Sequence, residues 1–304
     1  MSSMRTRRAL LAWYARHGRR TLPWRTKRSP YRTLVSEFML HQTQVDRVVP
    51  SFEAFVLRFP DFQSLARAPA ADVVRAWKGL GYNSRAVRLR GVAEAVVSRY
   101  GGVLPNETVA LTALPGIGAY TAAAIRAFAF DIADAPVDTN VRRIVHRLYR
   151  GIEFPAQATP RELALLAHQL VPKADAHDWN SALMDLGSAI CTARAPHCRR
   201  CPLRRDCAAA PIDPADLERR RRVAARPQWR EPVRFERTAR YARGRIVDRL
   251  RELPLGEAIS LLDLHRSLAP LMPERGVDEI AALVTLLERD GLVSGDGGRI
   301  ALRE

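Results

Sequence analysis

"LTALPGIGAYTAAAIRAFAF" (residues 111–130) contains two helical stretches joined by a short turn around Gly116 and Gly118. Glycine has no side chain, so another molecule can approach the backbone closely. The free N–H groups at the start of the second helix can then bind a phosphate oxygen. The pattern predicts a helix-hairpin-helix. Glycine-rich turns between helices also have purely structural roles, so the meaning of this one depends on its surroundings.

The segment that follows, "PVDTNVRRIVHRLYRG" (136–151), strengthens this interpretation. It predicts a helix that starts near Asn140 and buries an apolar stripe. Asp138 stands just before that helix, where a carboxylate commonly caps the free N–H groups and where a negative charge is favoured. A carboxylate held there could also stabilise a positively charged, oxocarbenium-like sugar. The sequence leaves both roles open.

A glutamate, Glu37, lies among apolar residues in "SPYRTLVSEFMLHQTQVDRVV" (29–49). Ser29 is the predicted N-cap of this helix and Pro30 its first residue, and the helix is predicted to continue for about four turns. A glutamate in such a helix either faces solvent, which is the commoner case, or lines a pocket where it can donate a proton.

All four cysteines fall within "CTARAPHCRRCPLRRDC" (191–207), in the pattern C-x6-C-x2-C-x5-C. Such clustering argues against a secreted disulfide framework and for a metal site in a reducing cytosol. Structural zinc sites usually pair two C-x2-C units, whereas a thiolate-only group with one such unit also suits an iron–sulfur cluster. The residue pattern favours a [4Fe–4S] cluster and leaves zinc open. The candidate ligands are Cys191, Cys198, Cys201 and Cys207.

The composition is strongly basic, with a formal net charge of +17 and a pI near 10.9 in 304 residues. An excess of this size points to a polyanionic partner, most often nucleic acid and sometimes a membrane surface. Nearly all of the positive charge is arginine, a preference that a GC-rich coding bias would explain without explaining the net excess. No uncharged apolar run is long enough to span a bilayer, and the arginine-rich N-terminus is typical of an amphipathic helix rather than a secretory signal.

Helical periodicity dominates residues 4–210 and predicts an all-α body. Residues 211–236 carry four prolines and a run of four arginines, and we interpret them as a linker that is either a solvated charge run or a strap along phosphates. From about residue 237, three helices and a glycine-rich hairpin resemble a winged helix. The polar face of its third helix is mostly acidic and would repel phosphates. We therefore expect a structural or protein-contact domain rather than one that reads bases.

Together these segments closely resemble the MutY adenine DNA glycosylases, which belong with endonuclease III to the helix-hairpin-helix superfamily. The resemblance covers about residues 5–210 in unbroken order and rests on the motifs LPWR (22–25), SEFMLHQTQV (36–45), GLGYNSRA (79–86), LPGIGAYTAAAI (114–125), VDTNVRRI (137–144), MDLGSAIC (184–191) and the cysteine pattern.

The resemblance implies a two-domain helical core with a [4Fe–4S] cluster, and the residue pattern adds the small α+β winged-helix-like domain after it. The predicted segments are 25–135 for a six-helix barrel, 1–24 with 136–210 for the cluster domain, 211–236 for the linker and 237–304 for the winged-helix-like domain.

Residue by residue, the resemblance implies a base-removing site. Glu37 would be the general acid that protonates the adenine ring, and Asp138, with Asn140 beside it, the carboxylate that stabilises the sugar cation. Tyr120 occupies the position where bifunctional relatives carry a Schiff-base lysine, so we expect base removal without efficient β-lyase activity.

The resemblance also implies a DNA-binding surface and a base pocket. Gln42 and Tyr82 match residues that wedge into the duplex beside a flipped-out base. The cluster would present a basic loop to the DNA backbone, and Leu22, Trp24 and Arg25 match part of the adenine pocket. The predicted phosphate contacts are Gly116, Gly118, Arg194, Arg199, Arg200, Arg204 and Arg205.

Two departures from the family pattern bear on substrate choice. His41, which is expected to contact DNA beside Gln42, stands where well-known members have glutamine. The C-terminal region does not resemble the Nudix-like domain that reads 8-oxoguanine in many members. The same helical core also serves thymine or uracil removal from T·G or U·G mismatches, which is the alternative activity. A non-catalytic DNA-binding repair protein is the alternative of another class. We expect mismatched double-stranded DNA as the partner, no membrane contact, a monomer and a cytoplasmic, nucleoid-associated location.

Overall fold

The computed structural model describes residues 4–225 and 233–304. Within these ranges, no helix combines the length and the apolar composition that crossing a bilayer requires.

The described residues form a mostly helical structure with three short strands. The predicted all-α body with a small α+β region at its C-terminal end is therefore confirmed. The helices are α1 (Met4–His17), α2 (Pro23–Thr26), α3 (Pro30–Leu40), α4 (Val45–Arg58), α5 (Phe62–Arg67), α6 (Ala70–Ala76), α7 (Ser84–Tyr100), α8 (Thr108–Thr112), α9 (Ala119–Phe130), α10 (Thr139–Tyr149), α11 (Pro160–Leu170), α12 (Ala176–Ala189), α13 (Pro214–Ala224), α14 (Ala239–Arg251), α15 (Leu261–Leu268) and α16 (Val277–Arg289). The strands are β1 (Ile259–Ser260), β2 (Val293–Asp296) and β3 (Arg299–Leu302).

The chain divides into two compact units. The first unit is Met1–Thr33, Asn106–Ala113 and Ile117–Gln228, and the second is Leu34–Pro105, Leu114–Gly116 and Trp229–Glu304. The four segments predicted from the sequence describe a finer division, which stays a prediction.

The core of the first unit forms where α1, α10 and α12 pack together. Its buried side chains include Leu10, Val145, Trp179 and Leu186, and three of the four cysteines lie against it. Removal of this apolar surface from water is the main force that holds the three helices together. The cysteine segment is thus anchored directly on the core.

In the second unit, α5 packs along α7, and the rings of Phe55 and Trp77 meet edge to face with centroids 5.8 Å apart. The C-terminal strands form one antiparallel sheet in the order β1-β3-β2, with Val293 opposite Leu302. Gly297 and Gly298, both at positive φ, make the tight turn of the predicted hairpin. Helices α14, α15 and α16 pack on one another beside this sheet, as the sequence predicted.

Two details differ from the sequence predictions. The helix that begins at Pro30 ends at Leu40, after three turns rather than four, and Gln42, two residues further on, has a left-handed conformation with φ of 59°. The predicted linker contains a helix, α13. Arginines of its four-arginine run form ion pairs with carboxylates on the same helix. Part of that linker, residues 226–232, lies outside the described residues.

Candidate functional site

Glu37 lies in the last two turns of α3, in the second unit. The helix begins as predicted, since the Arg32 N–H donates to Ser29 Oγ at 3.1 Å. The Glu37 side chain is buried, with 7% of the residue's surface exposed, and its neighbours Val35, Phe38 and Met39 are buried as well. Of the two situations that the sequence left open, the one in which the carboxyl faces solvent is therefore excluded.

Asp138, in the first unit, is the N-cap of α10. One carboxylate oxygen accepts the Val141 N–H at 2.7 Å, and the other accepts a hydrogen bond from the Asn140 side-chain amide at 3.0 Å. Capping orients the carboxylate at the positive end of the helix. The structure thus brings Asp138 and Asn140 together and holds both carboxylate oxygens in place.

Asn140 is itself held by an arginine that the sequence analysis did not single out. Arg143 donates to Asn140 Oδ1 at 2.7 Å, to the carbonyl of Gly187 at 2.8 Å and to the carbonyl of Cys191 at 2.8 Å. These bonds link the Asp138 cap to α12 and to the first cysteine. Arg143 and Gly187 both lie inside the recognised motifs VDTNVRRI and MDLGSAIC, which is the signal that could have found them.

The predicted base-pocket residues Leu22, Trp24 and Arg25 lie at α2, with Trp24 buried. Arg25 makes a two-pronged contact with Asp185, at 2.8 and 3.3 Å. Arg19 is a second partner of that carboxylate, with Nη2 at 2.7 Å from Asp185 Oδ1. Burial acts to raise the pKa of Asp185, but the bonds and charges of the two arginines outweigh it and lower the pKa. Asp185 was not predicted from the sequence. Arg25, which was predicted to line the base pocket, is bound to this carboxylate within the protein.

The predicted helix-hairpin-helix is formed by α8, a turn and α9. Gly116 has φ of 78°, and a Cβ there would lie 3.2 Å from the Arg88 side chain, so the position requires glycine. Apart from its two chain neighbours, no atom of the described residues lies within 4 Å of where a Cβ on Gly118, the N-cap of α9, would be. Tyr120 follows in the first turn of α9 and is half-buried. The backbone at the start of α9 is therefore open on the side of Gly118.

The predicted wedge residues Gln42 and Tyr82 lie on two loops of the second unit, and both have positive φ, 59° and 45°. The buried guanidinium of Arg85 joins these loops. It donates hydrogen bonds of 2.6–3.1 Å to six acceptors, namely Thr43 Oγ1 and the carbonyls of Phe38, Met39, His41, Leu80 and Gly81. Burial lowers the pKa of Arg85 to about 10, so the group keeps its charge at neutral pH.

His41 is half-buried between Gln42 and the end of α3, and its ring stacks on Phe38 with centroids 6.1 Å apart. Burial first, and then the positive charge of Arg85, lowers the pKa of His41 below its usual value of 6.5. The imidazole is therefore neutral at pH 7 and offers one donor and one acceptor.

The four cysteines all line one small cavity, together with Arg147, Ile190 and Ile212. Two short 3₁₀ turns, Cys198–Arg200 and Arg204–Asp206, carry the chain around it. All four thiols are free, and no group of three or more His, Cys, Asp or Glu side chains in the described ranges has the arrangement of a site for a single metal ion. The structure thus brings the four predicted ligands to one place. The five arginines of the predicted phosphate-binding loop are exposed: Arg194, Arg199, Arg200, Arg204 and Arg205.

The chain is similar to known DNA repair proteins in both sequence and fold. A family model described as HhH-GPD superfamily base excision DNA repair protein matches residues 35–173. The chain is 40% identical over 295 residues to the adenine DNA glycosylase of Mycolicibacterium smegmatis, covering 96% of this chain and 94% of that protein. It is 42% identical over 260 residues to the adenine DNA glycosylase of Mycobacterium tuberculosis (strain H37Rv), covering 82% and 80%. A solved thermostable thymine-DNA glycosylase matches with a TM-score of 0.62 at 30% identity, covering 68% of this chain and 98% of that one.

Proposed function

This chain belongs to the adenine DNA glycosylase (MutY) family of the HhH-GPD superfamily, whose members act in base excision DNA repair, and we propose that it releases adenine mispaired with 8-oxoguanine or guanine. The observation that carries this proposal is the Asp138 carboxylate, whose two oxygens are held at 2.7 Å by the Val141 N–H and at 3.0 Å by Asn140. The reaction is hydrolysis of the N-glycosidic bond.

The proposed chemistry divides the work between two carboxyl groups. As the bond from C1′ to the base breaks, its electron pair leaves with the base and the sugar becomes cationic. Glu37 donates the proton that makes adenine a neutral leaving group, a role that its buried position on α3 supports. Asp138 stabilises the sugar cation, the oxygen of water then forms the bond to C1′, and the proton that this water loses returns to the Glu37 carboxylate. The product is an abasic site.

Strand cleavage is not part of the proposed reaction. A β-lyase step needs an amine that can form a Schiff base with the sugar aldehyde. Tyr120, in the first turn of α9, has a phenol instead, and the chain's three lysines are Lys27, Lys78 and Lys173, outside this turn. We therefore expect abasic DNA that stays intact until alkali is added.

We propose that a mismatched duplex is bound by a monomer through several separate features. Gln42 and Tyr82 enter the base stack, and the open backbone around Gly116 and Gly118 binds a phosphate. The exposed arginines beside the cysteines, with Arg199 and Arg200 at their centre, bind the DNA backbone. These contacts add affinity without reading sequence.

Cys191, Cys198, Cys201 and Cys207 would hold a [4Fe–4S] cluster. Their fit to that group rests on a thiol-only donor set that lines a single cavity with apolar walls from Ile190 and Ile212. When bound, the cluster supplies a covalent cross-link of the loop and no chemistry of base removal. The chain's own part is to hold that loop on the core of the first unit and present its arginines.

The test is single-turnover base release from matched duplexes that carry A·8-oxoguanine, A·G, T·G or U·G, with alkali added afterwards to cut abasic sites. We expect adenine release, and we expect Asp138→Asn to lower its rate constant by about 10²-fold or more while DNA binding persists. Asparagine is also a good N-cap, so α10 should keep its start. Asp213→Asn, at the N-cap of α13, is the matched control and should behave as the unmodified protein.

Thymine or uracil removal is the second candidate, because the chain is 30% identical to a thymine-DNA glycosylase that it covers almost completely. Selective release of thymine or uracil from the same panel would assign that activity in place of adenine release. His41 would then be the first residue to exchange for glutamine, since it stands next to the wedge.

A further inference from the structure

The loop that carries Tyr82 has an unusual backbone. Gly79, Gly81 and Tyr82 all have positive φ, at 86°, 68° and 45°. Glycine takes this conformation readily, but a residue with a side chain does so at a cost of about 1 kcal/mol or more. A tyrosine in this conformation persists only where its surroundings hold it.

On the inner side, the loop is held through its backbone. Arg85 binds the carbonyls of Leu80 and Gly81 at 2.9 and 3.0 Å, and the Trp77 indole N–H also donates to Gly81, at 3.3 Å. These bonds determine where the loop runs. These backbone bonds do not contact the Tyr82 ring. On this side, the Arg85 guanidinium lies 5.6 Å from the ring centroid.

On the outer side, the ring itself is held by Arg240, from the first turn of α14 in the C-terminal region. The Arg240 guanidinium lies 4.4 Å from the Tyr82 ring centroid, and its Nη1 donates a hydrogen bond of 2.5 Å to the phenol oxygen. The same guanidinium lies 5.1 Å from the Phe235 ring. One cation therefore contacts both the face and the hydroxyl of Tyr82.

Helix α14 holds Arg240 in place because the C-terminal end of the helix is also bound next to the Tyr82 loop. Arg251, with 4% of its side chain exposed, donates to the Val74 carbonyl at 2.9 and 3.1 Å and to Asn83 Oδ1 at 2.9 Å. Asn83 is the residue directly after Tyr82. Two arginines at opposite ends of α14 therefore hold consecutive residues of the loop.

We propose that Arg240 is a positioning residue for Tyr82, through which the C-terminal region sets the direction in which the aromatic ring meets DNA. This rests on the proposed function, in which Tyr82 wedges into the duplex. A ring already held in one rotamer loses less conformational entropy when it enters the base stack. A cleft of about 680 Å³, lined by Tyr82 together with Gln42, Phe235 and Tyr241, leaves room for that entry.

The experiment uses the full chain and an A·8-oxoguanine duplex with 2-aminopurine next to the mispair, whose fluorescence rises when its neighbours unstack. Stopped-flow fluorescence and single-turnover adenine release are measured for Arg240→Ala, Arg240→Lys and Arg249→Ala. Arg249 lies on the same helix, is paired with Glu252 at 3.3 Å and serves as the charge-matched control.

We expect Arg240→Ala to slow the fluorescence rise and the release of adenine about fivefold, which corresponds to about 1 kcal/mol. Lysine keeps the charge but lacks the planar fork, so Arg240→Lys should recover only part of the rate. Arg249→Ala should match the unmodified protein. In a Tyr82→Ala background, Arg240→Ala should have no further effect, because its action goes through the ring.

Three results would overturn the proposal. Unchanged or faster kinetics in Arg240→Ala would show that the contact does not assist the wedge. An equal slowing in the Tyr82→Ala background, with a salt dependence of affinity that falls by about one phosphate, would make Arg240 a direct phosphate contact. If Arg240→Lys had the full rate of the unmodified protein, Arg240 would act through its positive charge alone and not by positioning the ring. If the unmodified protein releases no adenine, the proposed function fails, while the fluorescence cycle still tests Arg240.

Discussion

Gly187 lets α12 pass close to Asn140, the side chain that orients Asp138. A Cβ at position 187 would lie 2.6 Å from the Cβ of Asn140 and 3.3 Å from its Oδ1, and the first of these distances is not tolerated between real atoms. The Cβ of Asn140 is attached directly to the backbone of α10, and its Oδ1 is held by the hydrogen bond from Arg143. An added methyl group must therefore move Asn140, and with it the hydrogen bond to Asp138.

We predict that Gly187→Ala lowers the single-turnover rate of base release by about 10-fold to 10²-fold, because a displacement of about 1 Å in a reacting constellation has an effect of this size. It should also lower the free energy of unfolding by about 1–3 kcal/mol through overpacking. Gly244→Ala is the control, since that glycine lies within α14 and has open space at its Cβ. A Gly187→Ala protein with an unchanged rate would show that the position of Asn140 is not important.

At the scale of single residues, the sequence predicted what is local and missed what is distant. The cap at Asp138 follows from a carboxylate placed three residues before the Val141 N–H that it accepts. The Arg143 bonds to Gly187 and Cys191 span 44 and 48 residues, so no local pattern encodes them. The pairing of Arg25 with Asp185 was missed for the same reason, across 160 residues.

At the scale of helices, Arg85 determines where α3 ends and how the next loop runs. Its guanidinium donates to the carbonyls of Phe38 and Met39, in the last turn of α3. If the helix continued, these carbonyls would instead accept backbone N–H groups of the next turn. The sequence predicted a helix of about four turns from Pro30, which would continue past this point. The residue that ends the helix lies more than 40 positions along the chain.

We predict that Arg85→Met destabilises the protein by about 3 kcal/mol or more, because methionine fills the space but leaves buried carbonyls without donors. Arg85→Lys should lie between methionine and the unmodified protein, since one ammonium has three donors for six acceptors. Urea unfolding, read as the free energy of unfolding in water, is the measurement.

Arg99→Met, an exposed position on the same helix α7, is the matched control and should change stability by less than about 0.5 kcal/mol. Equal stability of the Arg85→Met and Arg99→Met proteins would contradict the role assigned to Arg85.

The C-terminal elements were predicted more completely. Helices α14, α15 and α16 and the β2–β3 hairpin all lie where periodicity and the Gly297–Gly298 turn placed them. The contact of Arg240 with Tyr82 was not predictable, because the two residues are 158 positions apart and the arginine lies in a helix with many arginines.

At the scale of the whole molecule, the arginines behind the net charge of +17 are not equally available to bind phosphates. The arginines at positions 219–222 pair with Asp216 and Glu218 on the same helix, and the bonds from Arg221 and Arg222 lower the pKa of Glu218 to about 2. The arginines beside the cysteines are exposed, and no ion pair to them occurs among the described residues. The second group is therefore the better candidate for binding phosphates.

The salt dependence of DNA affinity tests this distinction. Each phosphate that a cation neutralises releases condensed counterions, so the logarithm of affinity falls with the logarithm of salt concentration by about 0.9 per contact. We predict that the double variant Arg199→Ala, Arg200→Ala weakens binding to a mismatched duplex and reduces that slope by about 2. The double variant Arg249→Ala, Arg266→Ala removes the same charge from two positions of the C-terminal region where each arginine is paired with a nearby carboxylate, and it should leave the slope unchanged. If both pairs change the slope equally, affinity follows net charge alone, and the loop beside the cysteines has no special place at the DNA backbone.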